Sequence, residues 1–255
     1  MISIFDFDIL VVSVMMIYTS YLDLKKREVE DKIWIIFGVV GLLSLAFQAL
    51  TNAVSDWTIV GVSIGLTALI GMGLFFFGFY GGADGKALIV LALFVPTFSP
   101  MVGLYDLAPL MVLTNGVLIS MVLPIGLLIL NAVRLARREP IFENFEEPAY
   151  RKLLACLLGY KQLGTPHEFQ FSLERDLKAD SSSSGADYSD GTEAQLRARR
   201  KKFDFSLMRD DFEEKPGTWV TPGIPLLVFF TAGFFALLIY GDLVIGLIGF
   251  IFHLP

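Results

Sequence analysis

Residues Leu110 to Val133 read LMVLTNGVLISMVLPIGLLILNAV, 24 residues without a charged side chain, held between Asp106 and Arg134. A helix needs about 20 mostly apolar residues to cross a bilayer, so this stretch predicts a membrane span. Working outward, five more segments share its character: Ile4 to Leu22, Ile33 to Leu50, Trp57 to Tyr80, Ala87 to Leu104 with breaks at Pro96 and Pro100, and Pro222 to Tyr240 with an apolar tail to Pro255. The composition agrees, with 55% hydrophobic and 18% charged residues and a mean hydropathy of +0.64. The expected fold is all-α: a polytopic membrane helical bundle of about six transmembrane helices, with a charged insert before the last. The first segment carries Asp6 and Asp8 at its start and basic residues only after it. A cleavable secretory signal has the opposite polarity, so this segment is expected to be retained.

The basic residues orient the bundle. Lys25, Lys26, Arg27 and Lys32 follow the first segment, Lys86 follows the third, and the other fifteen of the 20 lie between Arg134 and Lys215. Cytoplasmic loops are enriched in Lys and Arg. Six alternating spans put all three stretches on the cytoplasmic side and both termini outside, with Asp6, Asp8, Asp56, Asp106 and Asp242 on the outer side. The chain divides into residues 1–133 with five spans, a cytoplasmic insert at 134–218, and 219–255 with the last span. The insert holds 15 basic and 16 acidic residues. Tyr150 to Tyr160 has helical periodicity, Lys178 to Thr192 reads as a serine-rich flexible linker, and Arg197 to Lys202 as a solvated basic face near anionic headgroups. Trp219 is expected at the membrane interface, with Thr221 as N-cap and Pro222 as first residue of the last helix. No basic groove with aromatic platforms marks a nucleic-acid partner. The single cysteine, Cys156, excludes an intrachain disulfide and a Cys-x-x-Cys zinc site. It reads as a small buried apolar residue. The lipid bilayer is the expected surrounding, and the oligomeric state is left open.

Charges inside spans are costly and functional by default. Asp23 closes the first apolar run, in Tyr21-Leu22-Asp23-Leu24-Lys25-Lys26-Arg27-Glu28-Val29, and Asp84 follows the third, in Tyr80-Gly81-Gly82-Ala83-Asp84-Gly85-Lys86. Both spans run outside to inside, so both acids reach the inner face. Two neighbouring carboxylates resist double ionisation and share one proton, which is what aspartic proteolysis uses: the ionised acid activates water and the protonated one donates. No metal or cofactor is needed. Gly81, Gly82, Ala83 and Gly85 are expected to form a side-chain-poor active-site loop that admits an extended substrate backbone.

Each acid also has a bland reading. Asp23 alone is an interfacial charge neutralised by Lys25 to Arg27, Gly81-Gly82 a turn, and Glu28, Glu30 and Asp31 a solvated loop face. Asp242 falls at the outer end of a span as an interfacial charge. His167 and His253 fall in different compartments and cannot share a site. Two rival functions follow. A carboxylate-dependent ion or proton transporter would favour acids near the midplane and paired halves with broken helices, and no such pairing is evident. A noncatalytic assembly protein leaves the paired aspartates without a purpose.

The Asp23 to Val29 and Gly81-Gly82-Ala83-Asp84 stretches, each at the end of a span, resemble the GxGD-type aspartic peptidases. Within them the chain is similar to the archaeal preflagellin peptidases, relatives of the type IV prepilin peptidases. The similarity extends to the span order, the long insert and the Trp219-Val220-Thr221-Pro222-Gly223-Ile224-Pro225 stretch. The chain departs in having Ala83 where the family signature has glycine. The resemblance implies catalytic Asp23 and Asp84, a preflagellin or type IV prepilin-like precursor as substrate, and cleavage of its short basic leader just before the hydrophobic segment. With no cytoplasmic Cys-x-x-Cys module, it implies peptidase activity without an attached N-methyltransferase.

Overall fold

The computed structural model describes residues 4–51, 56–76, 82–99, 106–143, 145–162, 170–176, 201–203, 205 and 217–252. They form two compact units, one of residues 1–120 with 225–255 and one of residues 121–224. The first holds α1 (Ile4–Lys26), α2 (Asp31–Leu50), α3 (Trp57–Phe76), α4 (Gly82–Phe94) and α5 (Ala108–Ser120). The second holds α6 (Val122–Ala136), α7 (Ala149–Leu158), β1 (Tyr160–Lys161), β2 (Gln170–Ser172), β3 (Glu174–Asp176), β4 (Lys201–Phe203) and β5 (Trp219–Pro222). The chain then returns to the first unit with α8 (Leu226–Tyr240) and α9 (Leu243–Phe252).

In the first unit, α1 turns one stripe inward: Val12, Met15, Met16, Thr19 and Ser20 are buried at helical spacing. Val12, Met15 and Met16 pack with Leu88 and Leu91 of α4, Met111 and Val112 of α5, and Leu227, Phe230 and Phe234 of α8 in one core. Leu10, Ile35, Leu43 and Leu69 point outward, as helices in lipid require. Lipid offers no hydrophobic drive for helix association, so close backbone approach at small residues matters. A Cβ on Gly233 of α8 would stand 2.6 Å from the Gly116 nitrogen of α5. One on Gly85 of α4 would stand 3.0 Å from the Gly71 carbonyl oxygen of α3.

Among the described residues, three helices are long and apolar enough to cross a membrane: Phe5–Lys26, Asp31–Leu50 and Ala108–Ala136. The pair α8 and α9, bent by 60°, makes a fourth if counted as one span. The bend lies at Gly241, whose φ of 82° ends α8. Asp242 then caps α9, its Oδ1 accepting from the Val244 and Ile245 amides at 2.9 and 3.2 Å. Asn115 of α5 holds the break, donating to the Gly241 carbonyl at 3.0 Å and accepting from the Leu243 amide at 2.8 Å. Asp242 is thus a buried helix cap, a sharper role than an interfacial charge. The fourth predicted segment is a 13-residue helix, about 20 Å long. After it the chain bends at Pro96, and Thr97 forms an antiparallel bridge with Leu107.

The second unit corrects the all-α expectation: the chain is mostly helical, with two small sheets among the described residues, β1-β5-β2 and β3-β4, both antiparallel. Tyr150 to Tyr160 supplies α7 as its periodicity predicts. Trp219 is fully buried, not an interface anchor. Its ring stacks on Phe142 and its Nε1 donates to the Ile141 carbonyl at 2.8 Å. Thr221 and Pro222 belong to β5, and the last helix starts at Leu226 after Pro225. The extended chain here completes a sheet over an aromatic cluster of Phe142, Phe145, Phe203 and Trp219, which outweighs the local helix-start signal. The linker at 178–192, His167, His253 and residues 197–200 lie outside the described residues.

Candidate active site

Asp23 continues the inward stripe of α1, seven residues beyond Met16 and three beyond Ser20, so the packing that buries those residues turns Asp23 the same way. The helix ends one turn later. Arg27 adopts a left-handed φ of 55° and its amide bonds the Asp23 carbonyl at 3.0 Å, a C-terminal turn usually given to glycine. The Asp23 carboxylate accepts a hydrogen bond from the Leu227 amide and faces the charge of Arg27. Leu227 is in the first turn of α8, where amides lack intrahelical partners and the helix dipole favours an anion.

A hydroxyl seam fixes that turn. Ser20 Oγ donates to the Leu227 carbonyl at 3.0 Å and lies 2.6 Å from Thr231 Oγ. Thr231 Oγ also lies within hydrogen-bond distance of the Met16 and Leu227 carbonyls, at 3.1 and 2.8 Å. Ser20 was legible as part of the stripe. Its partner on α8, more than two hundred residues away, was not.

Asp84 stands in the first turn of α4 and is only 7% exposed. This corrects the expected loop: Gly82, Ala83 and Gly85 are helical, and Gly81 lies outside the described residues. A carboxylate in a first turn is favoured by the free amides there. Ala83 needs no left-handed backbone, since among described non-glycine residues only Arg27 and Arg138 have positive φ. It packs on the core, and Gly85 serves the close crossing with Gly71.

Asp31 opens α2 five residues after α1 ends, and Lys86 follows Asp84 by two. Their side chains form an ion pair at 2.6 Å. Val29 and Ala83 pack on the same core cluster. The last turn of α1 and the first turn of α4 therefore share one end of the first unit. Among the described residues no group of three His, Cys, Asp or Glu is arranged to hold a metal. Cys156, in the second unit, is half-buried, and burial pushes its thiol above the ordinary range.

Comparison with known proteins gives this arrangement its class. A model described as the type IV leader peptidase family matches residues 10–130, which include Asp23 and Asp84. A second, described as the archaeal peptidase A24 C-terminus type II, matches residues 152–243. A preflagellin peptidase of Methanocaldococcus jannaschii is 24% identical over 250 residues, covering 94% of this chain and 96% of its own. One of Methanococcus maripaludis is 25% identical over 245 residues, 89% of this chain and 92% of its own. One of Methanococcus voltae is 34% identical over 127 residues, 46% of this chain and 54% of its own. With several helices apolar enough to span, the class is a multi-pass membrane peptidase. The chain belongs to the type IV leader peptidase family.

Proposed function

We propose that the chain is an aspartic endopeptidase of the GxGD type that removes the short basic leader of preflagellin, or of a type IV pilin-like precursor, with Asp23 and Asp84 as its catalytic pair. The observation that carries the reading is the placement of both acids at one end of the bundle, tied there by the Asp31–Lys86 pair. In the proposed reaction the pair holds one proton. The ionised acid takes a proton from water as the water oxygen bonds the peptide carbon. The protonated acid donates to the carbonyl oxygen, and collapse breaks the C–N bond with a proton passing to the leaving amine. The chain's part is to hold the acids: the start of α8 orients Asp23, and the first turn of α4 carries Asp84.

The positive-inside distribution supports an inner-face site, with both termini outside and six passes, α4 being the short one. A basic leader would then lie beside the catalytic end before cleavage, where Glu28 and Glu30 favour its charge, Asp31 being paired with Lys86. The test is incubation of the reconstituted chain with a panel of leader-bearing preflagellin and prepilin-like precursors, the cut mapped by mass spectrometry. Cleavage between the basic leader and the hydrophobic segment is expected. Intact precursors throughout, from correctly inserted protein, would refute the reading.

A further inference from the structure

Helix α7 is amphipathic the wrong way round for a helix facing water. Tyr150, Leu153, Leu154 and Leu158 form one face at i, i+3, i+4 and i+8, and all are exposed, Tyr150 to 64%. The opposite face turns inward, with Ala155 at 0%. The charged side chains of α7 go inward as well. Arg151 pairs with Glu147 at 3.2 Å and lies over the Phe205 ring. Lys152 lies over Phe142. A soluble helix does the reverse, with its charges out and its leucines in.

The level at which α7 sits is fixed by α6. Asn131 of α6 is buried and donates to the Cys156 and Gly159 carbonyls at 3.1 and 2.7 Å, so it satisfies two carbonyls at the C-terminus of α7. Asn131 lies within the candidate span Ala108–Ala136, one turn before Arg134, the first charge after the apolar run. On the side of α6 turned away from Asn131, Ile125, Ile129 and Val133 are exposed, the surface a spanning helix offers to acyl chains. The Asn131 bonds therefore hold α7 at a level where α6 itself offers apolar side chains to lipid. Arg137 and Arg138, exposed just past the end of α6, are suited to anionic headgroups.

We infer that α7 lies in the headgroup–acyl boundary of the bilayer, with Tyr150, Leu153, Leu154 and Leu158 inserted into lipid. Helices of this kind bury an apolar face shallowly at the interface, and tyrosine is favoured there. The occupant is lipid because α6 offers apolar side chains to lipid at this level and α7 is hydrogen-bonded to it there. The inference rests on Ala108–Ala136 crossing the membrane and not on the catalytic assignment.

The test uses the unaltered full chain in phosphatidylcholine–phosphatidylglycerol vesicles, labelled with a lipid-soluble aryl diazirine and mapped by peptide mass spectrometry. Carbene insertion is expected at Tyr150, Leu153, Leu154 and Leu158 at a level within severalfold of Ile125 and Ile129, with Arg151 and Lys152 unlabelled. Labelling of α6 without α7 would overturn the inference while leaving the span intact, and would mean that a second copy or another part of the chain covers this face. Labelling of neither would overturn both.

Discussion

At the scale of single residues, the account depends on how Asp23 is held. Ser20 and Thr231 do not touch substrate in the proposed reaction; they fix the turn of α8 whose Leu227 amide meets Asp23. Ser20→Ala and Thr231→Val each remove a hydroxyl that bridges α1 and α8. Each is expected to destabilise the bundle by about 0.6 kcal/mol while lowering kcat severalfold and shifting its pH profile. Loss of thermal stability with unchanged kcat and pH profile would reduce the seam to packing. Cys156 gives a separate check on the second unit. Its thiol is raised by burial, so it is protonated at neutral pH and becomes reactive only as pH rises through that raised value. Maleimide labelling of the native chain is expected to have a midpoint above the ordinary thiol value of about 8.5; a midpoint at or below it would contradict the burial. Cys156→Ala is expected to retain peptidase activity.

At the scale of elements, the helices at Phe5–Lys26, Asp31–Leu50 and Ala108–Ala136 were readable because long uncharged runs admit little else. The break after Phe94 was readable from Pro96. The start of α4 was not, because Gly81-Gly82 reads locally as a turn, and the packing of Ala83 and Gly85 that extends the helix back to Gly82 is set by α3 and the core. The same limit applied at β5: Thr221-Pro222 carries a helix-start pattern, but β1 and β2 recruit it into a sheet. The Gly71–Gly85 crossing makes a prediction that an active-site loop does not. Gly85→Val places side-chain atoms against the α3 backbone, 3.0 Å from Cβ onward, and is expected to lower both thermal stability and cleavage. Ala83→Gly is expected to be tolerated, costing about 1 kcal/mol or less in helix propensity. Equal stability of Gly85→Val and the native chain, measured by thermal unfolding in detergent, would rule out the close crossing.

At the scale of the whole molecule, charge sidedness underlies the proposed topology, in which the insert and the proposed catalytic end lie on the inner face. Lys202, exposed on β4, tests it: Lys202→Cys in a Cys156→Ala background is expected to resist a membrane-impermeant maleimide in intact cells and to react after permeabilisation. Labelling of intact cells would invert the model. What sequence could not supply is the sheet pairing of the second unit, since β3 and β4 are separated by the long serine-rich and charged stretch. Whether Asp23 and Asp84 act as one catalytic pair is decided by precursor cleavage by reconstituted native, Asp23→Asn and Asp84→Asn chains, each normalised to inserted protein. An amide keeps the shape of the side chain but cannot share the proton, so each variant is expected to lose at least about a hundredfold in rate with its insertion unchanged. Cleavage by either variant at close to the native rate would contradict the account.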